Sequence, residues 1–199
     1  MAGQAPKKRK AIVTQERNVR TYAELWHASE KVLDAGMREP KGSSWQFLSS
    51  IVLTAFAFEA YLNHVGPTVL SSWQRLERLG PQAKLDLLCE VLKVQLGGED
   101  ERPQKTITTL FKFRNTLAHG RTGTIAAPPK QVDVERVDDH FKQRLLTDWE
   151  RLIKNGDFAK RARKDVEAIV MLIHAARSEP KEYPFTFGLG FGSANIVDV

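Results

Sequence analysis

The stretch Phe111-Lys-Phe-Arg-Asn-Thr-Leu-Ala-His-Gly120 sets a guanidinium, a carboxamide and an imidazole within six positions of one another. Arg114 is permanently charged and can hold two phosphate oxygens at once. His119 is the one side chain in the stretch that ordinarily gives and takes protons near neutrality. Asn115, one helical turn before it, can orient either a bound phosphate or the imidazole. A structural reading stands beside this one: basic and amide side chains near a helix C-terminus also serve its last carbonyls and its dipole.

The elements that must position these groups follow from apolar spacing. Ile107, Leu110, Phe111 and Phe113 predict a helix from just after Pro103 to Ala118, with Gly120 as a left-handed stop. Upstream, Tyr22, Ala23, Leu25, Trp26, Val32 and Leu33 predict an amphipathic helix ending before Pro40. Ser43 or Ser44 can cap the next, Trp45 to His64, which is apolar on nearly every side and so belongs at the centre of a bundle. Gly66-Pro67 reads as its end. A helix over Val69–Leu79 stops at Gly80-Pro81, and another carries Leu85, Leu88, Val91, Leu92 and Leu96 on one face. After an exposed loop at Arg121–Lys130, two more helices are expected near Val134–Lys154 and Phe158–Arg177. The fold class is all-α, a bundle of five to seven helices with an extended C-terminal tail.

The pattern Arg114-Asn115-x-x-x-His119 resembles the Arg, four to six residues, His motif of HEPN domains. The upstream helix Ala55-Phe-Ala-Phe-Glu-Ala-Tyr-Leu-Asn-His64, with Glu59 inside an apolar run, is similar to what many members carry. The resemblance covers residues 20–175, with motif detail in these two helices. It implies a HEPN-like helical domain and a metal-independent endoribonuclease, a toxin or phage-defence effector checked by an inhibitory partner protein. The alternative is a non-catalytic module that binds nucleotide or RNA, or serves in dimerisation. On the first reading Arg114, His119 and Asn115 are catalytic, and Glu59, Arg121 and Lys112 contact substrate.

Geometry raises a difficulty. Five residues advance about 500° on an ideal helix, leaving Arg114 and His119 about 140° apart around the axis. One copy of the motif therefore converges poorly on one phosphate unless the last turn unwinds. The resemblance implies a homodimer in which two copies face one cleft.

Composition bounds the rest. With 199 residues, 42% hydrophobic and 27% charged, the chain suits one domain over residues 14–179, between a disordered basic arm (1–13) and a Gly/Phe-rich tail (180–199). The net charge of +6 permits an RNA partner, although Lys7, Lys8, Arg9 and Lys10 supply four of the positive charges. Pro6-Lys-Lys-Arg-Lys10 also looks like a nuclear import signal, but a solvated tail is the preferred reading. Ser49, Ser50, Thr54 and Glu59 interrupt the longest apolar stretch, so no membrane span is expected. The lone Cys89 and the lack of a signal-like N-terminus point to a reducing cytoplasm. No cofactor is expected: His27, His64, His140 and His174 fall on separate helices without metal-ligand spacing. Gly188-Leu-Gly-Phe-Gly192 lacks the Lys-Ser/Thr ending of a phosphate loop. Phe185, Phe187 and Phe191 suit packing better than base stacking, and Trp26, Trp45, Trp73 and Trp149 read as core or half-buried anchors.

Overall fold

The computed structural model describes residues 10–178 and 183–197. Most of the expected basic arm (1–9) and the start of the expected tail (180–182) lie outside them. The elements run β1 (Lys10–Arg17), α1 (Thr21–Arg38), α2 (Ser44–Val69), α3 (Trp73–Leu76), α4 (Pro81–Leu92), α5 (Gln104–Ala118), a 3-10 turn (Val134–Arg136), α6 (Val137–Phe141), α7 (Asp148–Leu152), α8 (Asp157–Ala175) and β2 (Gly190–Val197). The chain is mostly helical, with eight α-helices among the described residues against the five to seven expected.

The centre of the bundle is α2. Phe47, Ile51, Phe58, Tyr61, Leu62 and Val65 are all buried along it, and α1, α4, α5 and α8 pack around it. Each such large apolar side chain contributes about 1.5–3 kcal/mol when removed from water. The helix is long and apolar enough to cross a membrane by length and composition, and half of its most apolar window is buried inside the bundle. That is the pattern of a helix surrounded by other helices. From α5, Ile107, Leu110, Phe111 and Phe113 face this core, and the Phe58 and Phe111 rings stack at 5.7 Å.

Several local expectations are corrected. Gly66-Pro67 does not end α2, which continues to Val69. Proline this near a C-terminus removes a single intrahelical bond, the one to the Asn63 carbonyl, and the bare Gly66 backbone lets the Trp73 indole pack where a Cβ would stand. The helix expected over Val69–Leu79 shrinks to one turn, α3. Ser43 precedes α2 but does not cap it with its side chain; its hydroxyl donates back to the Glu39 carbonyl. Gly120 is not left-handed, because α5 closes at His119 with φ −113°. The helix expected over Val134–Lys154 is broken into the 3-10 turn, α6 and α7. A capping box between Thr147 and Glu150 starts α7 afresh. Trp45 is 67% exposed and anchors nothing in the core, whereas Trp26 and Trp73 are buried.

The ends of the described chain form an antiparallel ribbon, β1 with β2, in register from Lys10↔Val197 to Arg17↔Gly190. The alternation at Phe185–Phe191 precedes and enters this strand, and Lys10–Val13 of the expected arm belong to its partner. The ribbon is joined to the bundle just before β2. There Phe185 is buried with its ring stacked on Trp26 at 4.2 Å, and Phe187 lies 4.5 Å from the His27 ring. Phe191 remains exposed. Arg163 of α8 also lies over the Trp26 ring, its Cζ 3.8 Å from the ring centroid, and donates to the Trp26 carbonyl and Ser29 hydroxyl.

Candidate functional site: a charged cluster at the end of α5

The buried stripe of α5 fixes where its polar groups emerge. With Leu110, Phe111 and Phe113 held in the core, Arg114 lies at the edge of the stripe, its side chain 25% exposed, and Asn115 and His119 reach solvent in the last turn. Arg114 Nη2 donates to Glu59 Oε2 at 2.9 Å, and Nη1 donates to Asn115 Oδ1 at 2.9 Å. The guanidinium also stands 5.5 Å from the centroid of the half-exposed Phe56 ring, one turn before Glu59 on α2. The Arg114 contacts thus run to a carboxylate and a carboxamide, and the reading in which it serves helix-end carbonyls finds no support in them.

Glu59 is shared. Its Oε1 faces Lys84 Nζ of α4 at 3.6 Å, so one carboxylate joins cations from two other helices. Lys84 is only 2% exposed. Lysine is rarely buried without a partner, and Glu59 is that partner. The lysine was missed in the sequence although a signal existed. Pro81, Lys84, Leu85 and Leu88 share the buried face of α4, and a lysine on an apolar stripe needs a counter-charge across the helix interface.

Of the six residues proposed from sequence, the fold brings together Arg114, Asn115 and Glu59. His119 is exposed at the C-terminal end of α5, and its side chain makes no hydrogen bond or ion pair among the described residues. Its backbone N–H still bonds to the Asn115 carbonyl at 3.0 Å, so the helix has not unwound before it. Lys112 and Arg121 are exposed on either side of the helix end and join no contact within the cluster. Among the described residues no group of three or more His, Cys, Asp or Glu side chains converges as a metal site would require. An open cavity of about 890 Å³ is lined by Lys130, Asp133, Arg136, Asp139 and His140, and none of the six candidates borders it.

Chemically, the cluster is a positioned cation with an unengaged imidazole beyond it. Counting Glu59 as −1 and Arg114 and Lys84 as +1 each leaves a net +1, suited to an anion. No family model, no curated protein and no solved structure matches the chain.

Proposed function

We propose that the chain is a HEPN-like endoribonuclease that cleaves RNA by attack of a ribose 2′-hydroxyl on the adjacent phosphorus, without a metal cofactor. The observation that carries this reading is the clamp on Arg114. Glu59 and Asn115 fix the guanidinium before any substrate arrives, and a fixed cation stabilises developing phosphorane charge better than a mobile one. In the reaction His119 takes the 2′-hydroxyl proton, the 2′-oxygen bonds to phosphorus, and the 5′-oxygen departs with a proton from an acid. The products are a 2′,3′-cyclic phosphate and a 5′-hydroxyl.

The helix remains wound to His119, so the angular separation from Arg114 is not relieved within one chain. A twofold homodimer answers it: two copies of the α5 end share one cleft, and the second copy's His119 serves as the acid. Exposed Lys112 and Arg121 add positive charge for the RNA strand.

The non-catalytic reading, a module that binds nucleotide or RNA or serves in dimerisation, draws on the same fixed guanidinium. Incubation of total RNA with the wild type and with Arg114→Ala separates the two. The nuclease reading expects cleavage by the first alone. Binding by the wild type without any cleavage selects the module.

A further inference from the structure

We propose that Lys84 is a positioning residue of the α5 site, acting through Glu59 to keep the Arg114 clamp net positive. The inference rests on the reading of Arg114 as a phosphate contact, and it assigns a role to a helix, α4, that the motif does not include.

Glu59 alone would hold Arg114 but would also cancel its charge, leaving a neutral pair with little attraction for a phosphodiester. Lys84 stands on the other carboxylate oxygen, 3.6 Å away, while Arg114 takes the first at 2.9 Å. The three groups link α4, α2 and α5. Their sum is +1, so the guanidinium is both fixed and attractive to an anion. At the effective dielectric of a half-buried site the removal of one unit charge within several ångströms is felt as a several-fold change in affinity.

A stability role explains this arrangement less well. A buried ion pair is often no more stabilising than an apolar pair of the same volume, and Leu85 and Leu88 show that this face of α4 accommodates apolar side chains. The place of Lys84 beside the substrate-facing cation, with Glu59 between them, is what the charge account explains.

The test uses a fluorescent all-2′-O-methyl RNA dodecamer, which cannot be cleaved, at low salt, with melting temperature recorded for each protein. Lys84→Met is expected to weaken binding by about fivefold or more. The double variant Lys84→Met/Glu59→Gln also sums to +1 and keeps a carbonyl acceptor for Arg114, so it is expected to recover affinity to within about twofold of wild type. Recovery of affinity counts for the charge account where Lys84→Met melts like wild type, because a purely structural ion pair would lose and regain stability and affinity together. Three results with the variants overturn it: Lys84→Met folding and binding as tightly as wild type, a folded double variant no better than a folded Lys84→Met, or Lys84→Met failing to fold, which a structural ion pair alone explains. A wild type that binds the dodecamer but cleaves no natural RNA sinks the nuclease reading and leaves this inference standing. A wild type that does not bind it overturns the inference, whatever the cleavage assay shows.

Discussion

Arg114 Nη2 lies 2.9 Å from Glu59 Oε2, joining the last turns of α5 to the middle of α2 across 55 positions of sequence. One consequence concerns lysine at this position. An ammonium on a flexible stem cannot bridge Glu59 and Asn115 as the planar guanidinium does. Arg114→Lys is therefore expected to lower RNA cleavage by roughly 10²-fold although it retains the charge. Single-turnover rates measure this, and a loss under threefold would show that the charge alone suffices.

The His119 side chain is exposed and makes no hydrogen bond or ion pair among the described residues, so His119→Ala should leave the melting temperature unaltered while lowering the cleavage rate by about 10²–10⁴, the usual worth of a general acid or base. A clear drop in thermal stability, or a rate loss under threefold, would assign His119 to structure.

The Arg102–Asp165 pair sets a pH dependence of stability. Burial by itself would raise the Asp165 carboxyl, but hydrogen bonds from Arg102 and Thr106 outweigh it and hold the group below its ordinary value. Arg102 Nε and Nη2 donate to the two carboxylate oxygens at 2.9 and 2.7 Å. A lowered folded pKa gives stability that is present above about pH 4, the unfolded carboxyl value, and is lost as pH falls through the folded one. Arg102→Met should destabilise the fold at neutral pH by removing both donors to Asp165, with the difference from wild type shrinking below about pH 4. Denaturation at pH 7 and pH 3 checks this, and an equal difference at both would refute the assignment.

The Trp26–Phe185 stack is expected to fasten the ribbon to the bundle. Phe185→Ala removes a buried ring and should cost about 3 kcal/mol. Hydrogen exchange should then speed up in β1 and β2 before the bundle loosens. A variant that melts like wild type would mean the segment contributes nothing to the fold.

Gly66→Ala should destabilise by about 1–3 kcal/mol, because the added methyl would overlap the Trp73 indole that packs across this backbone. Thermal melts measure it, and an unchanged midpoint would show that Trp73 can move aside freely.

These residues also show what could be read in advance. The core stripe of α5 and the position of Arg114 at its edge follow from 3.6-residue spacing, and Glu59 inside an apolar helix signals a buried cation partner. The spacing does not say which cation, because Lys84 and Arg114 approach from different helices. The expected stop at Gly66-Pro67 fails because a proline in the last turn costs little and Trp73 packs against the glycine, a tertiary contact. The break at Thr147 was legible in the Thr-x-x-Glu capping box but was masked by continuing apolar periodicity. Pairing of β1 with β2 joins segments some 180 positions apart, and no local pattern encodes such a register.

The account's central claim is that the α5 end cleaves RNA through its own side chains, and the chemical ends of the products test it most directly. With a defined RNA in the presence of EDTA, the wild type is expected to yield 2′,3′-cyclic phosphate and 5′-hydroxyl ends, and His119→Ala to yield almost none. Products carrying 3′-hydroxyl and 5′-phosphate ends, or activity that EDTA abolishes and magnesium restores, would contradict it.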